Sequence, residues 1–152
     1  MQDGLVALPR PVRREAENLL ELDHLAPVAA IRRIVQFTFD YYLSHEGFVR
    51  LVVAENQAKG RHLKKSAAMR TLNRPIIDTL ARVIARGARD GKFRDGIDPV
   101  DVHMMIAALG MFNVTNRYTF SAIFQREMGA KGNVRRRREL VTEAILRFLA
   151  KT

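Results

Sequence analysis

The sequence predicts an all-α domain, and three observations carry that prediction. Apolar residues recur at helical spacing along almost the whole chain. Strand signals are nearly absent, with no Asn-Gly or Asp-Gly pair set between two alternating apolar runs. The prolines (Pro9, Pro11, Pro27, Pro75 and Pro99) fall near segment starts, where a fixed φ suits the first helical turn. With 152 residues, 47% of them apolar and 28% charged, the chain is long enough for one domain with its own core. No internal repeat or low-complexity tract interrupts it.

The opening residues read as irregular, and residues 12–22 as a short helix. Asp23-His24-Leu25-Ala26-Pro27 breaks the chain and opens a longer helix to about His45. On its wheel Arg32, Arg33, Gln36, Asp40 and Ser44 share one narrow side, and Val28, Ile31, Ile34, Val35, Phe37, Tyr41 and Tyr42 cover the rest. That arc is wider than the ~100° stripe of a surface helix, so this helix is expected at the centre. After His45-Glu46-Gly47 another helix spans 48–58, with Phe48, Leu51, Val52 and Glu55 on one side. Lys59-Gly60-Arg61-His62 is the expected interruption.

Asn73-Arg74-Pro75 reads as the cap of an amphipathic helix to Arg89. Its stripe is Ile76, Ile77, Leu80, Val83, Ile84, Gly87 and Ala88, with Arg82, Arg86 and Arg89 facing water. Asp90-Gly91 ends it, glycine being free to turn left-handed. Asp98-Pro99, with Asp101 in the first turn, starts the next helix. The last helix is expected over 133–150, with Leu140, Val141, Ala144, Ile145, Phe148 and Leu149 on one face.

The segment between His103 and Arg117 contains no lysine, arginine, aspartate or glutamate. A helix that is apolar on every side must be covered on every side. In a domain this small, one face packs on the chain's own core and the other is expected to meet a second copy. Ala107, Ala108 and Gly110 are small enough to admit another backbone closely. Paired with the last helix across a two-fold axis, it makes a four-helix bundle. Met104, Ala107, Ala108, Met111, Leu140, Ala144, Ile145 and Phe148 are the expected interface of this homodimer. A central helix in a monomer is the alternative reading.

Gly91-Lys92-Phe93-Arg94-Asp95-Gly96-Ile97-Asp98-Pro99 is physically a helix–helix connector in which Phe93 plugs the corner. Gly-x-Phe-Arg-x-x-Ile-Asp-Pro, placed after an arginine-rich amphipathic helix and before an apolar one, also resembles the connector in the C-terminal domain of TetR-family regulators. The resemblance continues upstream through Arg14-Glu15-Ala16-Glu17, Leu22-Asp23-His24-Leu25-Ala26-Pro27, Phe37-Thr38-Phe39-Asp40-Tyr41-Tyr42, Phe48-Val49-Arg50-Leu51, Glu55-Asn56 and Asn73-Arg74-Pro75. Downstream it runs through Asn116-Arg117-Tyr118-Thr119-Phe120-Ser121-Ala122-Ile123-Phe124.

The resemblance implies an all-α, TetR C-terminal-like bundle of about six helices over residues 13–152, behind an irregular 1–12, dimerising through its last two long helices. It also implies an unknown small-molecule effector whose binding shifts the spacing of two DNA-reading heads. Residues 1–12 have no room for a helix-turn-helix, so operator DNA is expected only through such a domain outside this chain. The expected function is therefore the ligand-sensing, homodimerising domain of a bacterial transcriptional regulator, with repression the commoner sign in the family. A helical protein-interaction module working through residues 104–112 is the alternative, and a charge-driven nucleic-acid binder the third reading. The pocket is expected among the central helices, lined by Phe37, Tyr41, Val52, Glu55, Ile77, Met105, Phe112 and Asn116. Glu55 and Asn116 stand out, because a charge or amide inside an apolar stripe needs a partner.

Lys+Arg 26 against Asp+Glu 16 gives a net charge of +10, which attracts anions without defining a site. Arg135-Arg136-Arg137-Arg138 falls at an expected helix start, where the dipole disfavours cations, and reads as a solvated shoulder with a phosphate contact as the second reading. No cysteine is present, which excludes disulfides, thiolate catalysis and cysteine-bound zinc. His24, His45, His62 and His103 form no metal-binding or catalytic spacing, and no Gly-x-Ser-x-Gly occurs. Asp98 and Asp101 near His103 read as first-turn helix acids. No enzyme activity, metal or cofactor is expected. Without a basic leader or an apolar run of roughly 18 residues, a cytoplasmic protein with no membrane partner is expected.

Overall fold

The computed structural model describes residues 21–65 and 67–152. The irregular start, the Arg14-Glu15-Ala16-Glu17 piece and most of the helix expected over 12–22 lie outside the described residues. A 3₁₀ turn at Glu21–His24 leads into α1 (Pro27–Ser44) and α2 (Glu46–Gln57). A second 3₁₀ turn at Leu63–Lys65 is followed by α3 (Ala67–Arg89), α4 (Pro99–Thr115), α5 (Arg117–Phe124) and α6 (Lys131–Leu149). Six helices and no extended strand among the described residues give the all-α fold that the helical periodicity predicts.

The wide apolar arc of α1 places it centrally, against α3, α4 and α6. Ala30, Ile31, Ile34, Val35 and Phe39 meet Leu80, Val83 and Ile84 of α3, Val102 and Ile106 of α4, and Val141, Ile145 and Leu149 of α6. Even the polar side of α1 is used. Asp40 receives two hydrogen bonds of 2.9 Å from Arg138, and Gln36 donates to Glu139 at 3.2 Å. A forked arginine–carboxylate pair adds geometry as well as charge.

Three local expectations are corrected. On α2 the buried positions are Glu55 and Val49, the latter in a cluster with Tyr42 and Val114, while Leu51 is exposed. Only His45 separates α1 from α2, and this short corner sets the rotation of α2. The third long helix does not start at Asn73-Arg74-Pro75 but runs from Ala67 with Pro75 inside it. Ala67-Ala68-Met69-Arg70 are strong helix formers, so the helix tolerates one missing hydrogen bond at the proline. Arg86 does not face water: it donates to the carbonyls of Asp23 at 2.8 Å and Leu25 at 2.9 Å, fastening the turn before α1 to α3.

The connector closes α3 as its glycine suggests. Gly91 has φ +67°, and the Lys92 and Phe93 amides both donate to the Gly87 carbonyl at 2.8 and 3.0 Å. Phe93 is buried against Gly87, where an added Cβ would lie 1.9 Å from the ring. The same corner pairs with the last residues of the chain. Arg94 donates to the Leu149 carbonyl at 2.8 Å and Lys151 to the Lys92 carbonyl at 3.0 Å. The Arg94 guanidinium sits 4.4 Å above the Phe148 ring. Asp98 caps α4 by accepting from the Val100 amide at 2.8 Å.

Candidate functional site

The apolar surface of α4 divides into two rows. Val102, Ile106 and Val114 turn inward, and Met104, Leu109 and Phe112 stay exposed. Gly110 also turns inward: a Cβ there would meet Tyr42 of the same chain at 3.0 Å, so its small size serves α1 rather than a second copy. Burial pushes the Tyr42 phenol up to about 12, keeping it un-ionised under that helix. The face expected on α6 divides in the same way. Val141, Ile145 and Leu149 are buried, whereas Leu140 and Ala144 are exposed.

The expected interface residues therefore separate. Met104, Ala108, Leu140 and Ala144 are exposed on neighbouring helices. Ile145 lies wholly inside the chain's own core and offers no surface to a partner. Ala107 and Met111 pack on the Tyr42–Val49 cluster, and Phe148 packs on the main core.

Where α4, α5 and α6 meet, they leave a crevice of about 340 Å³. Ala108, Leu109, Phe112, Asn113, Asn116, Arg117, Phe120, Met128, Arg137 and Val141 line it. Phe112 and Phe120 meet edge to face with ring centres 5.0 Å apart, and Phe120 stands 5.2 Å from Phe124. Asn113 is only 6% exposed, and its Nδ2 has no hydrogen-bond partner. Leaving such a donor unmet costs about 1–3 kcal/mol. Arg117 is occupied by the Tyr118 hydroxyl and Glu46, the first contributing most to holding it in its charged form. Asn116 donates to Thr115 at 2.7 Å. Arg137 makes no ion pair among the described residues. The arginine run begins one turn inside α6, which starts at Lys131 rather than 133, and its members differ: Arg138 is bound to Asp40 while Arg137 reaches the crevice.

Of the residues expected to line a pocket, Phe112 and Asn116 do line this crevice. Phe37, Tyr41, Val52, Ile77 and Met105 are half-buried elsewhere, Met105 against the main core and Tyr41 against the second cluster. Glu55 is buried, but its partners belong to the chain. It accepts from the His62 and Leu63 amides at 2.7 and 2.9 Å and pairs with the His62 ring at 2.8 Å. These bonds hold its carboxyl below the usual range, the Leu63 amide contributing most. Asn113, which the sequence reading missed, carries the clearest signal in the crevice. A polar residue inside the uncharged run was its only trace in the sequence.

Asp98 is used as a cap, burial pushes the His103 imidazole below its ordinary value, and no metal-holding group of three or more His, Asp or Glu occurs among the described residues. A hollow at Asp23, Arg82, Ala85, Arg86 and Arg89 is basic, but Arg82 and Arg86 already hold the 21–25 turn. No described helix is long and apolar enough to cross a membrane.

Comparison with known proteins establishes the family. The family model described as the tetracycline repressor-like C-terminal domain matches residues 27–145. The chain belongs to the TetR family of transcriptional regulators. The helix-turn-helix-type transcriptional repressor NicS of Pseudomonas putida is 36% identical over 117 residues, which is 77% of this chain and 55% of the relative. This TetR-type domain thus spans about half the length of the curated relative it matches. The match covers α1 to α5 and most of α6, so it includes both exposed apolar rows and the whole crevice.

Proposed function

We propose that this TetR-type domain is the homodimerising, effector-binding part of a cytoplasmic transcriptional repressor, with operator DNA bound by a helix-turn-helix domain outside the described region. The observation that carries this reading is the exposed apolar surface on α4 and α6 beside the crevice, where Met104 and Leu140 are 63% and 43% exposed. Neighbouring helices with apolar rows facing outward bury them against a symmetry-related pair in a four-helix bundle. The named repressor activity of the relative supports the regulatory sign.

The crevice lies on the same helices as that surface. A ligand held between α4, α5 and α6 acts on the elements that set the angle between protomers, provided it binds one arrangement better than the other. The reading is tested by gel filtration of Leu140→Glu beside Leu51→Glu, which places the same charge on the exposed side of α2. Leu140→Glu is expected to elute as a monomer and Leu51→Glu as the unmodified protein does. Identical elution of both would overturn the assigned face.

A further inference from the structure

The crevice has properties that identify a chemical class of ligand, an inference that rests on the effector-binding reading. Asn113 brings a buried amide nitrogen with no partner to a wall that is otherwise mostly hydrocarbon. A buried donor of this kind calls for an acceptor from the ligand. The cations around it are unequal. Arg117 is neutralised by Glu46, and Arg138 by Asp40 and Glu139, whereas Arg137 has no ion pair among the described residues. No aspartate or glutamate lines the crevice, so nothing there repels a negative group.

The walls restrict the rest of the ligand. Phe112 and Phe120 cross at 90°, an arrangement that accepts a further ring edge to face. A bare inorganic anion leaves these rings uncovered, and a neutral hydrocarbon leaves the Asn113 amide unmet. A space of about 340 Å³ lies at the small end of ligand pockets.

We infer that the α4–α5–α6 crevice binds a small aromatic carboxylate, its charge paired with Arg137, its acid oxygen accepting from Asn113 and its ring lying against Phe112 and Phe120. A guanidinium fork matches a carboxylate geometrically, and charge-assisted hydrogen bonds are about twice as strong as neutral ones.

The test is an NMR titration of the full chain with benzoate and phenylacetate, against benzyl alcohol as the neutral counterpart and sulfate as the bare anion. Both carboxylates are expected to shift the Asn113 side-chain amide signal. Benzyl alcohol is expected to bind at least tenfold more weakly than benzoate. Arg137→Gln, at an exposed position that leaves the fold intact, is expected to weaken benzoate at least tenfold, with Arg137→Lys recovering part of the loss. Equal binding of benzyl alcohol and benzoate would overturn the assignment to an acid while leaving an effector-binding domain in place. So would benzoate binding that Arg137→Gln does not weaken. Absence of any Asn113 shift with both carboxylates, or a shift with sulfate as large as with benzoate, would overturn the inference itself. A monomeric chain by light scattering is the separate sign that the underlying reading has failed.

Discussion

A carboxylate set in an apolar stripe needs donors, and Glu55 finds them in the turn that follows its own helix. Lys59 and Gly60, with φ +58° and +70°, fold the chain back so that the His62 and Leu63 amides point at it. Because the folded carboxyl titrates below its unfolded value, the native state holds fewer protons than the unfolded state between those two values. The stabilisation is therefore fully present above the unfolded pKa of about 4.3 and lost as pH falls through the lower folded value. Glu55→Gln is expected to lower Tm at pH 7 and to differ less from the unmodified protein below pH ~4. Melting curves across pH 3 to 7, an interval bracketing that carboxylate value of about 4.3, check this. The need for a partner at Glu55 is visible in the sequence, but the partner is not, because it depends on two left-handed residues. Asn113 was hidden for a related reason. An asparagine within an uncharged run looks unremarkable until the folding of Phe120, Met128 and Arg137 around it shows what its amide lacks.

Between elements, the closest approach is that of Phe93 to Gly87. Alanine at position 87 would gain about 0.5–1 kcal/mol of helical preference. Its Cβ, however, would lie within 1.9 to 2.6 Å of three ring atoms, and overpacking of that kind costs about 1–3 kcal/mol. Gly87→Ala is therefore expected to destabilise in urea unfolding. Phe93→Ala removes a fully enclosed ring and is expected to cost about 3–5 kcal/mol. Combined, the two changes should cost less than their sum, because the clash leaves with the ring. In α3, Pro75→Ala restores an amide to an exposed position inside a helix and is expected to raise stability by up to about 3 kcal/mol. The start of α4 at Asp98-Pro99 and the end of α3 at Gly91 were legible, since caps are local chemistry. The start of α3 was not. Proline is favoured at a first turn, yet eight residues before it are helical too. The bridge from the connector to residues 149–151 joins segments far apart in sequence, and no local pattern announces it.

At the scale of the whole molecule, the all-α class and the central place of α1 follow from periodicity, and the ordered motifs gave the family that residues 27–145 match. Periodicity could not divide the apolar faces of α4 and α6 into inward and outward rows. That division depends on how the helices are rotated against α1, and it moved Ile145 from the expected partner surface into the core. The row that remains outward carries the central claim. Light scattering of the unmodified chain over a wide concentration range tests that claim most directly. The account expects a mass twice the 17.3 kDa of one chain at every concentration, falling to a single chain in Leu140→Glu. A stable 17.3 kDa monomer in the unmodified protein would contradict it.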